Sequence, residues 1–232
     1  MTANLNMSGK LTLVESTDST NALLKQQPDA PHGTAVAALT QTAGRGRMGR
    51  EFLSPPGGIY LSLLLRPTSP LEQYLHLTPV LAVAACDAVE TCTGVRPGCK
   101  WVNDLFLHGK KLAGILTEIS GGAFIVGIGL NCDTDPADLP EVATSLAACG
   151  IAADRAALTE ALRAHLTRAF DTALTEKAQW LARYRENCIT LGREVRTAQG
   201  TGTAVDVDEN GALLVQTASG LITLRTGEAI EH

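Results

Sequence analysis

Three arginines, Arg45, Arg47 and Arg50, alternate with Gly44, Gly46 and Gly49 directly after an apolar run, Thr34–Thr40. Glycine lets a backbone approach a ligand closely, and a guanidinium can grip a carboxylate or phosphate through two parallel hydrogen bonds. A second basic window, residues 96–111, carries Arg96, Lys100, Lys110 and Lys111 against a single acid, Asp104. Residues 44–50 and 96–111 together hold seven of the 19 Lys and Arg in a chain whose net charge is −5. Such local concentration points to a compact anionic ligand bound where the windows meet. A solvated hairpin turn accounts for Lys110 and Lys111 taken alone, but not for the glycine-interleaved arginines.

Several chemistries are set aside. Gly44-x-Gly46-x-x-Gly49 spells a dinucleotide fingerprint, yet Arg50–Gly58 contains Ser54-Pro55-Pro56-Gly57-Gly58 and cannot open the required helix. No acid follows at about 20 residues to hold a ribose. The Walker pattern, G-x-S-x-G and H-E-x-x-H are absent, and His32, His76, His108, His165 and His232 show no ligand spacing. An acidic balance argues against a protein that coats nucleic acid. The most apolar window, Leu75–Cys92, is interrupted by His76, Thr78, Pro79 and Asp87, so no membrane partner is expected. The first ten residues lack the apolar core of a secretory signal. Six cysteines without a C-x-x-C pair read as free thiols of a cytoplasmic protein.

The elements that must position these groups follow from periodicity. Lys10–Val14 reads as a strand, and Asp18 or Ser19 caps a helix through Ala22-Leu23-Leu24. Thr34–Thr40 and Ile59–Arg66 are strands, and Pro79–Cys92 is a helix. Cys99–Leu107 is followed by a turn at His108–Gly109 and by strands Lys111–Ile119 and Ala123–Leu130. Residues 154–187 form the clearest helical stretch, with Leu158, Leu162, Leu166, Phe170 and Leu174 four apart. From 188 the pattern changes to short strands separated by Gly-containing turns, which predicts a small β-barrel docked on the rest. The fold class is therefore α+β, with a mixed or antiparallel sheet flanked by helices, divided at 1–187 and 188–232.

Five segments together carry a resemblance. Ser19-Thr20-Asn21, Gln41-Thr42-Ala43-Gly44-Arg45-Gly46-Arg47, Lys100-Trp101-x-Asn103-Asp104, Lys111–Leu116 and Gly127-Ile128-Gly129-Leu130-Asn131 resemble, in order, the biotin–protein ligases. The resemblance implies a catalytic domain like class II aminoacyl-tRNA synthetases and an SH3-like C-terminal domain. It also implies a reaction in which biotin and ATP give biotinoyl-5′-AMP, followed by acyl transfer to a lysine of a biotin carboxyl carrier domain. Magnesium and a homodimer are implied with it. By resemblance, Ser19, Thr20, Asn21, Gln41, Arg45, Gly46, Arg47 and Lys111 hold biotin. Arg47, Arg50, Phe52, Lys100, Trp101, Asn103 and Asn131 serve the nucleotide, and Asp104 is a magnesium candidate. Arg45, Arg47 and Lys111 are the groups expected to act on the reacting atoms.

The implied chemistry suits these residue types. A carboxylate approaching a phosphate at about 4 Å meets roughly 4 kcal/mol of repulsion at an effective dielectric near 20. Converging cations offset that, and no covalent nucleophile is needed. Hydroxyl and amide side chains suit a neutral urea, although Ser19 and Thr20 could equally serve as helix caps. The chain departs from the family in having Phe52 where Trp is usual and Val102 where Pro is usual. About nine residues precede Lys10, too few for a helix-turn-helix, so no DNA partner is expected. A lipoate–protein ligase and a non-catalytic biotin or nucleotide sensor are the competing readings.

Overall fold

The computed structural model describes residues 8–225 and 230–231. β1 (Leu11–Thr17) runs parallel to β2 (Thr34–Gln41), and the later strands of the same sheet pair antiparallel, while Cys99–Cys188 and Lys111–Ala143 are isolated parallel bridges. β3 (Gly58–Leu65), β4 (Gly98–Lys100), β5 (Asp104–Leu107), β6 (Lys110–Ser120) and β7 (Ala123–Asn131) complete a seven-stranded mixed sheet of order β1-β2-β3-β7-β6-β5-β4. Residues 99–107, which read as one segment in the sequence, form a hairpin whose turn is Trp101–Asn103.

Strand position explains composition. β3 is central and buried along its whole length, which its near-continuous apolar run predicts. β1 lies at an edge and leaves Leu13 65% exposed. One face of the sheet, carrying Ile59, Leu61, Leu63, Val126, Ile128 and Leu130, packs on α2 (Leu77–Thr93) and α3 (Arg155–Thr172) in one apolar core. α2 is rich in Ala and Val and is buried almost all round, as an apolar helix without a polar face must be.

The opposite face is smaller. α1 (Thr20–Lys25) covers it by placing Leu24 against Val36, Leu64, Ala123 and Ile125. Because strand side chains alternate, Ser62, Gly127, Gly129 and Glu118 point to this same face. The short α1 leaves part of it open, and the cleft described below occupies that part.

The helical stretch 154–187 is two helices, α3 and α4 (Lys177–Asn187), separated at 173–176. No Gly or Pro marks the break. It lets Trp180, Leu181 and Tyr184 bury, with the Trp180 indole N–H donating to Thr172 Oγ1 at 3.0 Å. β8 (Glu194–Thr197), β9 (Gly200–Val207), β10 (Leu213–Thr217), β11 (Gly220–Leu224) and β12 (Ile230–Glu231) form a second, antiparallel sheet of order β11-β10-β9-β8-β12. All six cysteines are free thiols, four of them buried. Among the described residues no helix is long and apolar enough to cross a membrane.

Candidate active site

A cleft on the α1 face is lined from one end to the other by α1, β2, β6, β7 and the loop after β2. Its first end is neutral. Ser19 caps α1, and the buried Thr20 and Asn21 follow it. Gln41, the last residue of β2, accepts from the Thr20 N–H at 2.9 Å, and the same Oε1 lies 3.1 Å from the Thr20 hydroxyl oxygen. The other end of that amide donates to Ser54 Oγ at 2.8 Å, and Ser54 donates to Phe52 O at 3.0 Å. Behind them, Asn21 Nδ2 donates to Glu118 Oε2 at 2.9 Å, and Lys25 Nζ lies 2.6 Å from Glu118 Oε1. Burial alone would raise the Glu118 carboxyl, but Lys25 and Asn21 hold it below the ordinary glutamate range.

Two glycines make this floor possible. Gly127 pairs across the sheet with Ser62, and a Cβ on it would stand 2.3 Å from Asn21 Oδ1. A Cβ on Gly129 would stand 2.3 Å from the Phe52 ring. Real side chains do not approach so closely, so both positions need a bare backbone.

The second end is cationic. The loop after β2 closes on itself, with Gly46 N–H donating to Arg50 O at 2.7 Å and Phe52 N–H to Gly44 O at 2.9 Å. A single 3-10 turn, Arg47–Gly49, follows the glycines, so the geometry is not that of a dinucleotide fold. Arg47 Nη1 donates to Asn103 Oδ1 at 3.0 Å, and Asn103 Nδ2 donates to Asp104 Oδ1 at 3.1 Å. Lys111 Nζ lies 2.9 Å from the same Asp104 oxygen and 5.7 Å from the Phe52 ring centroid. Burial pulls the Arg47 guanidinium below the ordinary arginine range while Asp104 opposes the shift; it stays charged. The Lys111–Asp104 pair is about a quarter to a third exposed on each side. A pair of this kind is worth about 1 kcal/mol or less, so an incoming anion can take the ammonium from Asp104.

The two basic windows therefore meet, bringing together Arg47, Asn103, Asp104 and Lys111. Of these Arg47 and Asn103 line the cleft together with Arg45 and Gly46, Asp104 and Lys111 adjoin that lining, and Arg50 is exposed on the loop beyond it. Lys100 stands 5.0 Å from the Phe106 ring centroid, at the far edge strand. Trp101 is buried and its indole N–H donates at 3.0 Å to Gly211 O, in the turn between β9 and β10. Neither Lys100 nor Trp101 borders the cleft. Asn131 is buried at the end of β7, donates to Thr144 O at 2.9 Å, and leaves its Oδ1 without a protein partner. Lys111 is clamped at its backbone, its N–H donating to Val142 O and its carbonyl accepting from Thr144 N–H, both at 2.9 Å.

A resident magnesium ion does not fit this chain alone. Among the described residues no three acids, histidines or cysteines cluster, and Asp104 is engaged by Lys111 and Asn103. Magnesium would enter as the counter-ion of a substrate's phosphates, its usual mode of binding.

Ser62 and Glu118 were missed by sequence reasoning. A lone serine inside Ile59–Leu65 is a legible signal, since a buried hydroxyl needs a partner. A second cleft adjoins the first, sharing Arg47 and Ile115 and bordered by Asn210, Gly211 and Arg225 of the C-terminal segment.

Residues 13–135, a little over half of the chain, match the family model described as Biotin/lipoate A/B protein ligase family. This chain belongs to the biotin/lipoate A/B protein ligase family. Within that family, residues 190–230 match the biotin protein ligase C-terminal domain. The chain is 36% identical over 213 residues to the bifunctional ligase/repressor BirA of Bacillus subtilis, covering 83% of this chain and 64% of that protein. It is 32% identical to the biotin–[acetyl-CoA-carboxylase] ligase of Mycobacterium tuberculosis, covering 95% of this chain and 88% of that one. A biotin protein ligase from Aquifex aeolicus in complex with biotin and ATP superposes with a TM-score of 0.84 at 31% identity, over 96% of this chain and 98% of that one.

Proposed function

We propose that this member of the family is a biotin–protein ligase. It joins the biotin carboxylate to the α-phosphate of ATP with loss of pyrophosphate, then passes the acyl group to a lysine of a biotin carboxyl carrier domain. One observation carries this reading: a single cleft has a neutral hydrogen-bonding end of Ser19, Thr20, Asn21 and Gln41, and a cationic end of Arg45 and Arg47, with the Lys111 ammonium adjoining it 5.7 Å from the ring centroid of Phe52, which lines the cleft. A urea and a carboxylate at opposite ends of one small molecule match that polarity.

In this reading the reacting carboxylate and phosphate draw Lys111 away from Asp104, and Arg47 spans biotin and the adenylate. Arg47, already held by Asn103, needs little reorganisation as negative charge gathers, the arrangement in which electrostatic stabilisation is strongest. Phe52 lies beside the base, Asn131 offers its unpaired Oδ1, and Lys100, Trp101 and Asn103 fix the nucleotide edge by seating the β4–β5 turn. The carrier lysine enters from the second cleft, past Arg47.

The same proposal covers two sequence units, 1–187 and 188–232, the first akin to class II aminoacyl-tRNA synthetase catalytic domains. The second is read as an SH3-like barrel, a reading supported by its antiparallel β11-β10-β9-β8-β12 order. A cytoplasmic homodimer is part of the reading. Beyond Ile115, β6 pairs on one side only among the described residues, and Ile119 is 57% exposed there. An open strand edge of that kind can pair with a second copy.

Pyrophosphate release measured with biotin and, separately, with lipoate tests the proposal. Release dependent on biotin is expected. Dependence on lipoate would transfer the chain to the lipoate branch, and silence with both would leave a binding protein without catalysis.

A further inference from the structure

The neutral end of the cleft contains more hydrogen-bonding groups than a bound molecule could touch, and their order is informative. Ser62 Oγ lies 2.6 Å from Asn21 Oδ1 and 2.7 Å from Thr20 Oγ1, yet a serine has one hydrogen to give. Which neighbour receives it depends on which way the Asn21 amide is turned. Glu118 decides that. As a carboxylate it only accepts, and it sits 2.9 Å from the outer end of the amide, which must therefore be the NH2. Asn21 Oδ1 then faces Ser62 and takes its hydrogen. Thr20 is left to donate, and its remaining lone pair is free to accept from a ligand.

We infer that Glu118 is a positioning residue that sets the donor and acceptor polarity of the substrate-binding cleft through Asn21, Ser62 and Thr20. The inference rests on the reading of the cleft as a biotin site and adds to it a residue that need not touch biotin. Lys25, 2.6 Å from the other Glu118 oxygen, holds the carboxylate in place. Gly127, paired with Ser62, leaves the space in which the Asn21 amide lies. Without Glu118 the amide is free to rotate by half a turn. Ser62 would then accept from Asn21 and donate to Thr20, and the hydrogen of Thr20 would turn towards Gln41 or the cleft. Every link reverses without any atom moving far. The specificity at stake is therefore between a ligand group that donates and one that accepts.

The test is ATP–pyrophosphate exchange by the full chain with three acids: biotin; desthiobiotin, which keeps the urea; and 2-iminobiotin, whose cyclic guanidine is protonated at assay pH and presents only N–H donors where biotin presents the urea oxygen. Glu118→Ala is expected to raise the KM for biotin about tenfold, with the KM for ATP within twofold of its original value. The preference for biotin over 2-iminobiotin should fall at least threefold, and that for biotin over desthiobiotin should hold. Glu118→Gln, which can still accept from Asn21, should recover most of the lost affinity. Ser62→Ala should reproduce the Glu118→Ala phenotype, and the double variant should be no worse than either. If Glu118→Ala does not fold, Ser62→Ala and Glu118→Gln decide the matter. Unchanged biotin KM, equal losses for biotin and ATP, parallel losses for all three acids, or additive effects of the two substitutions would each overturn the role. If the unaltered chain shows no exchange with biotin, the ligase reading fails first and takes this assignment with it; exchange in the unaltered chain with an indifferent Glu118→Ala overturns the assignment alone.

Discussion

The two ends of the cleft are built on opposite plans. At the neutral end, Thr20, Asn21 and Ser62 are buried, and the partners they need are already part of the fold. At the cationic end, Arg45 is exposed, Met48 on the same loop is 71% exposed, and Lys111 is held by one weak ion pair. Burial suits a neutral group, whose desolvation is repaid by fixed hydrogen bonds. Charges are better left wet until an anion arrives, because an unpaired buried cation costs several kcal/mol. In the proposed reaction the first end recognises and the second end reacts, so a substitution should affect different constants depending on which end it strikes.

Lys111→Ala should separate the ends most sharply. Loss of a donor that acts on developing charge lowers rates by about 10²–10³. Exchange should fall by that order, whereas biotin affinity measured by calorimetry should fall far less. Equal losses would make Lys111 a binding group and erase the contrast.

Arg47→Gly comes next. A hydrogen bond to a charged group contributes about 1.5–3 kcal/mol, or roughly 10–100-fold in a dissociation rate. Adenylate should escape faster by that factor, and bystander lysines in an added protein should become labelled. Adenylate retained at the original rate would remove Arg47 from the contact.

At the neutral end, Gly127→Ala forces a methyl group onto Asn21. Overpacking of this kind costs about 1–3 kcal/mol, so the biotin KM should rise roughly tenfold with little change in the KM for ATP. A shift in both constants would show that the ends are not independent.

The smallest effect is one of pH. Glu118 faces Lys25 and Asn21, with Arg45 farther off, and its folded pKa lies below the ordinary glutamate value of 4.5. The unfolded chain therefore takes up the proton first. Stability from this group is complete above 4.5 and is lost as pH falls through the depressed value. Thermal melts between that depressed value and 4.5 should be less pH-dependent in Glu118→Gln than in the unaltered chain. Identical slopes would mean that the pair contributes nothing to folding.

The cationic end was the more legible in the sequence. Arg45 and Arg47 announce themselves by charge and glycine spacing after an apolar strand, whereas Lys111, which alone reads as part of a hairpin turn, is singled out by the resemblance. The neutral end was legible only where it lies on a motif, at Ser19-Thr20-Asn21 and Gln41. Ser62 and Glu118 sit inside strands whose polar residues look incidental until the registers place them beside Asn21. Residues 132–153 carry no periodicity, so the clamp on Lys111 by Val142 and Thr144 could not be anticipated. A motif gives the identity of Trp101 but not the direction of its ring, whose N–H turns to Gly211 O and not into the cleft. The break between α3 and α4 lacks a helix-stopping residue and comes from packing.

Val195, Ala204, Val207, Leu213, Val215 and Leu224 belong to the same apolar cluster as β3, β7 and α2, and the Trp101 indole is satisfied only by Gly211. Two sheets that share one interior have no seam along which to part. Heat or denaturant should melt the chain in a single cooperative step, and a fragment ending at 187 would carry a bare greasy flank and an unanswered N–H.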